Sequence, residues 1–110
     1  MNQREIWYAN LNPTKGSEQN GFRPVVIISG DMLNKHLEIV IACPLTTKIK
    51  NYKGNVVLPP NKTNGLTKKS EVMTFHIHSV SKDRLIKRIG NISKTELSNL
   101  KQGLDDILRY

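Results

Sequence analysis

Arg23 stands between Phe22 and Pro24, where a polar, glycine-punctuated stretch gives way to the apolar run Val25-Val26-Ile27-Ile28. An arginine fork is always charged and offers five donors matched to phosphate geometry. Rooted at the start of a rigid strand, such a side chain suits a phosphate clamp. It suits equally a strand-end ion pair with a carboxylate such as Glu18. Glu18 could also accept from the exocyclic amine of a base, Gln19 reads donors and acceptors alike, and Ser17 adds a hydroxyl donor. On residue type alone all three also fit a solvated loop. Thr46 follows the apolar run at 36–45 and brings a hydroxyl able to donate to a phosphoryl oxygen. Taken alone, it is also an ordinary strand-ending threonine. A fixed Arg and a fixed hydroxyl together suit an anionic phosphoryl group.

His76 and His78 have the spacing that points both rings to one side of a strand. Two ligands make a poor metal site, and His36 and Cys43 are not placed to complete it. The pair therefore packs on the sheet, faces solvent, or meets a ligand there. From residue 48 to residue 69 the chain carries six lysines and no acidic residue, with Tyr52 and several asparagines between them. A solvated loop face has this composition. So does an arm that follows a single-stranded backbone and stacks a base on Tyr52. The formal net charge of +8 attracts polyanions before any specific contact forms. Nucleic acid, an acidic protein and an anionic membrane remain open on charge alone. The single cysteine, Cys43, lies in an apolar run and reads as a small buried hydrophobe. No apolar run approaches the ~20 residues of a membrane span, and the first residues lack the apolar core of a signal peptide. The expectation is a cytoplasmic protein.

The elements that must position these groups follow from periodicity. One hundred and ten residues read as a single domain, 1–110. Residues 5–11 form a first strand with Trp7, Ala9 and Leu11 on one face. Residues 24–29 are a β-branched run suited to a strand buried on both faces. Asp31 caps a short turn through Asn34. A strand follows over 36–45, and Pro44 marks its end or an edge. Residues 55–58 make a short strand, and Asn64-Gly65 turns the polar loop beyond it. Residues 71–80 read as one long strand, with Val72, Thr74, His76, His78 and Val80 on one face. Ser81 caps a brief helix through Arg88, and 89–92 is a last short strand. Ser93-Lys94-Thr95-Glu96 has capping-box spacing. Leu97, Leu100, Leu104, Ile107 and Leu108 then define an amphipathic helix. Five or six short strands and one terminal helix imply a mainly β fold: a small, curved antiparallel sheet or barrel with helices outside.

The long connection between the first two strands carries more than composition. Asn12-Pro13-Thr14-Lys15-Gly16-Ser17-Glu18-Gln19-Asn20-Gly21-Phe22-Arg23-Pro24, after a strand containing Trp7, closely resembles the MazF/PemK family of bacterial toxins. Pro44-Leu45-Thr46-Thr47-Lys48 resembles the family's second motif. The resemblance implies an SH3-like antiparallel barrel, a homodimer and a sequence-selective, metal-independent endoribonuclease acting on single-stranded mRNA. It implies that Arg23 and Thr46 are catalytic and places Glu18 with them. It assigns Ser17, Gln19, Thr47 and Lys48 to RNA contact. The mechanism implied is attack of the 2′-hydroxyl on the adjacent phosphate, giving a 2′,3′-cyclic phosphate and a 5′-hydroxyl, with no cofactor. The implied partner is an antitoxin whose acidic C-terminal segment lies across the basic groove. The chain departs from the family at His76-Ile77-His78, where Gln-Ile-Arg is frequent and tends to meet RNA. Two other functions fit the same fold or charge. One is a CcdB-like gyrase inhibitor, whose Trp-Gly-Ile tail does not match Ile107-Leu108-Arg109-Tyr110. The other is a non-catalytic RNA-binding module.

Overall fold

β-Branched residues on three adjacent strands set up the sheet. The structure, a computed structural model, describes residues 1–12 and 21–110. The strands are β1 (Glu5–Asn10), β2 (Phe22–Ile27), β3 (Ile39–Thr46), β4 (Val56–Leu58), β5 (Ser70–Val72), β6 (His78–Ser81) and β7 (Leu85–Asn91). Among the described residues, two α-helices, α1 (Asp31–His36) and α2 (Lys94–Arg109), and two 3-10 turns, Thr74–His76 and Lys82–Arg84, accompany the strands. All pairings are antiparallel, in the order β4-β5-β3-β2-β1-β7, with β6 also paired to β3. The sheet curls into a half-barrel with α2 packed on it.

Side-chain alternation gives the sheet a core on each face. Ile6, Val26, Cys43 and Leu45 pack with Leu58, Val72, Ile92, Leu97 and Leu100 beneath α2. Ala9, Val25, Ile27, Val40 and Ala42 pack with Val80 and Leu85 on the other face, with Trp7 and Leu11 against them. The run Val25-Val26-Ile27 is therefore buried on both sides, as its unbroken apolar character requires. Burial pushes the Cys43 thiol up to about 12, which removes it as a nucleophile at neutral pH.

α2 begins with the capping box its sequence announces. Ser93 Oγ accepts from Glu96 N (3.0 Å) and Glu96 Oε1 accepts from Ser93 N (2.7 Å). Leu97, Leu100 and Gly103 form its buried stripe, while Ile107 and Leu108 are exposed.

Several elements differ from the sequence pattern for physical reasons. Residues 71–80 are not one strand. β5 pairs with the end of β3, β6 pairs with its beginning, and the 3-10 turn fills the corner between them. The turn is fixed from afar: Thr74 N and Oγ1 donate to Asn55 Oδ1 (3.1 and 2.7 Å), and Oγ1 also approaches Gly54 O (2.9 Å). Pro44 lies inside β3 rather than at its end. Its carbonyl accepts from Met73 N (2.9 Å) on the side where the ladder is interrupted. A strand residue points its N–H and C=O the same way, so the missing Pro44 donor falls in that gap. α1 runs to His36, and the Asp31 carboxylate accepts from Gln3 N (2.7 Å) instead of capping the helix. Ser81 makes no side-chain cap, and the brief helix expected through Arg88 is a 3-10 turn followed directly by β7.

Candidate functional site

Arg23 and Thr46 meet at the open end of the β2–β3 pair. That ladder sets Ile27 opposite Ala42 and Val25 opposite Pro44. Two residues further along each strand stand Arg23 and Thr46, on the same face by alternation. Together with Phe22, Pro24, Leu45, Thr47 and Lys48 they line a cleft of about 450 Å³. The strands make this end rigid: Arg23 also lies opposite Ala9 of β1, and Thr46 lies opposite Glu71 of β5. Among the described residues no carboxylate pairs with Arg23. The Thr46 hydroxyl accepts from Lys48 N (3.1 Å). That bond engages a lone pair and leaves the hydroxyl proton to be donated. The cleft thus offers one delocalised cation, two threonine hydroxyls and one exposed ammonium, the equipment for an anionic tetrahedral centre.

Ser17, Glu18 and Gln19 lie outside the described residues. Both flanks of that stretch are well held. Leu11 N donates to Gly21 O (2.9 Å), and Asn12 N and Nδ2 donate to Asn10 Oδ1 (3.0 and 2.9 Å). Arg84 donates to the carbonyls of Asn10 and Asn12. A Cβ at position 21 would sit 2.1 Å from Asn12 Oδ1, so the close approach requires glycine there.

The two histidines do not share a strand face. His76 belongs to the 3-10 turn and His78 to β6, and His78 Nδ1 is 2.8 Å from His76 O. His78 sits opposite Ala42, which sits opposite Ile27, four residues from Arg23. At ~3.3 Å per residue and ~4.8 Å per strand, His78 and Arg23 are roughly 16 Å apart at their Cα atoms. Within one chain that exceeds the reach needed for proton transfer at a phosphate on Arg23. Among the described residues no group of three His, Cys, Asp or Glu side chains converges.

Two features beside the cleft rest on contacts between residues distant in sequence. Glu71 is 1% exposed and organises the chain leaving Thr46. Its carboxylate accepts from the backbone N–H groups of Lys50 (2.6 Å), Asn51 (3.1 Å) and Tyr52 (3.1 Å) and from Asn55 Nδ2 (2.9 Å). Burial alone would raise its pKa. The bonds from Asn55, Lys50, Asn51 and Tyr52 outweigh that effect and hold it below the usual carboxylate value. The second feature is a row of exposed rings. Tyr52 packs edge-on against Phe75 (5.7 Å between centroids), and Phe75 lies 4.7 Å from His76. Tyr52 is 53% and Phe75 47% exposed, and Lys50 and Lys53 flank Tyr52 in the chain.

Residues 2–108 match the family model described as PemK-like, MazF-like toxin of type II toxin–antitoxin system. The chain is 32% identical to Endoribonuclease MazF9 of Mycobacterium tuberculosis over 109 residues, covering 94% of this chain and 92% of that protein. It is 32% identical to Endoribonuclease MazF of Staphylococcus saprophyticus over 107 residues, covering 96% and 88%. Its fold superposes on the crystal structure of MazF from Deinococcus radiodurans with a TM-score of 0.81 at 24% identity, covering 100% and 97% of the two chains. A match across nearly the whole chain, joined to the Arg23–Thr46 cleft, makes this protein a member of the PemK-like, MazF-like family of type II toxins.

Proposed function

We propose that the chain is a toxin endoribonuclease that cuts single-stranded mRNA, with the scissile phosphate held in the Arg23–Thr46 cleft. The observation that carries this reading is that Arg23 and Thr46, from motifs more than twenty residues apart in sequence, line one cleft. The bond formed joins the 2′-oxygen to phosphorus, and the bond broken is that from phosphorus to the 5′-oxygen. The products are a 2′,3′-cyclic phosphate and a 5′-hydroxyl, and the reaction requires no metal. Arg23 and Thr46 stabilise charge on the non-bridging oxygens. Glu18 belongs to the same catalytic set, and Ser17 and Gln19 contact the RNA. Thr47 and Lys48 extend the contact along the backbone, and Tyr52, His76 and His78 receive bases. The protein works in the cytoplasm as a homodimer. An antitoxin with an acidic C-terminal segment competes with RNA for the basic face.

Names of relatives support both partners: one is an Endoribonuclease, and another is an endoribonuclease in complex with its cognate antitoxin. The test is a denaturing gel of wild type and Arg23→Ala, each incubated with a long single-stranded RNA in excess EDTA. Discrete fragments from wild type alone support the proposal. Intact RNA in both lanes, with folded protein, would sink it.

A further inference from the structure

A second hollow adjoins the cleft and is not used by the reaction described above. It encloses about 410 Å³ and is lined by Tyr8, Pro24, Leu66, Thr67, Lys87 and Arg88, among others. That size lies within the ~300–1,000 Å³ of small-ligand sites. Pro24 is a wall of both hollows. The rings of Tyr8 and Phe22, one lining each hollow, lie 6.0 Å apart. In the sheet Tyr8 stands between Pro24 of β2 and Lys87 of β7. An aromatic ring, a proline and an ammonium are therefore neighbours across three strands, on the opposite face from Arg23 by alternation, and they meet the cleft through Pro24 and Phe22.

The far wall is built rather than incidental. Asn64 is 1% exposed, and its carboxamide accepts from Asn61 N and Leu66 N (both 3.0 Å) and donates to Pro59 O (2.8 Å). Asn91 N donates to Thr63 O (2.9 Å), which ties this loop to β7. A Cβ at Gly90 would lie 2.4 Å from Thr63 O, so the loop is packed directly on strand backbone. Despite these neighbours Tyr8 remains 37% exposed. Among the described residues no carboxylate pairs with Lys87, and Arg88 faces Glu5 at 3.7 Å.

We infer that this hollow is a second nucleotide subsite, in which Tyr8 stacks a base and Lys87 takes a phosphate of the same RNA strand that occupies the cleft. The inference rests on RNA being the occupant of the Arg23–Thr46 cleft. Aromatic faces carry single-stranded bases irrespective of sequence, and ammonium groups track the backbone between them. The rigid wall at 61–67 sets the depth of the base pocket, so the subsite adds affinity and register to the cut without touching the reacting atoms.

The experiment is an anisotropy titration with a labelled 12-mer pool of random 2′-O-methyl RNA, which has no free 2′-hydroxyl to attack. Wild type, Tyr8→Ala, Tyr8→Phe and Lys87→Ala are compared over a range of salt, each checked for fold by thermal melting and for mass by light scattering. Tyr8→Ala should weaken binding by about 5- to 100-fold with an unchanged salt slope. Tyr8→Phe should bind like wild type. Lys87→Ala, at an exposed position that does not threaten the fold, should flatten the slope of log K against log salt by ~0.7. Unchanged affinity and slope in both alanine variants would overturn the inference. So would a Tyr8→Ala protein that binds RNA normally but changes its oligomeric state, since the hollow would then belong to an interface between copies. A wild type that binds this RNA and loses affinity in the variants, yet leaves ordinary RNA uncut, would count against the nuclease chemistry and leave the subsite in place.

Discussion

The hydroxyl of Thr46 has one proton and two lone pairs, and Lys48 N engages one of the latter. Its remaining capacity includes the proton, which is what a developing phosphorane oxygen lacks. Thr46→Val keeps the shape and removes the donor. We expect kcat to fall by roughly 10²–10³-fold with RNA affinity nearly unchanged, while Thr46→Ser retains most of the activity. Single-turnover cleavage at saturating enzyme measures this directly. An equal loss in Thr46→Ser would show that the methyl, not the hydroxyl, matters. Glu71 acts one layer behind. Its pKa is depressed in the folded state, so its contribution is complete above the ordinary carboxylate pKa of about 4.3 and fades as pH falls through the lower folded value. Glu71→Gln keeps two of the four bonds at best. It should cost about 2 to 3 kcal/mol near neutrality and less at pH 3, as read from denaturant midpoints at both pH values. Identical losses at the two pH values would remove the charge from the explanation.

At the level of elements, what the sequence made legible was what local pattern encodes. The alternation of Trp7, Ala9 and Leu11, the unbroken Val25-Val26-Ile27 run and the Ser93–Glu96 box all appear as read. The two motifs that carry Arg23 and Thr46 were legible, and the β2–β3 register brings both residues to one cleft. What stayed hidden depends on partners far away in the chain. Residues 74–76 leave the ladder because Asn55 and Gly54 bind Thr74, and Glu71 is recruited by residues 50–55, 16 to 21 positions upstream. Pro44 looked like a terminator because the gap opposite it is created by that same turn. Gly103 is a further case. A mid-helix glycine normally costs ~0.5–1 kcal/mol against alanine, yet here a Cβ would fall 2.1 Å from Gly54 O. Gly103→Ala should therefore lower the melting temperature despite its better helix propensity, because α2 must move off the chain at 50–55. A higher melting temperature would show that this contact yields without cost.

The whole molecule carries +8 charges, and six of its lysines fall between residues 48 and 69, the segment that begins at the cleft and runs past the Tyr52–Phe75–His76 rings to the second hollow. Electrostatic capture of a polyanion over this surface is a binding effect rather than a chemical one. KM for a long single-stranded RNA should therefore rise steeply with salt while kcat changes little. Steady-state kinetics between ~50 and ~200 mM salt tests this. A flat KM would exclude the lysine-rich face from the RNA path. The clamp at Asn10, Asn12, Gly21 and Arg84 has a different consequence. The bonds from Leu11 to Gly21 and from Arg84 to the two asparagine carbonyls tie the end of β1 to Gly21 and to Arg84. The start of β2, which carries Arg23, is thereby held to the end of β1. A change at Gly21 or Arg84 would therefore reach Arg23 through the strand ends that both residues hold, without any direct contact with the cleft.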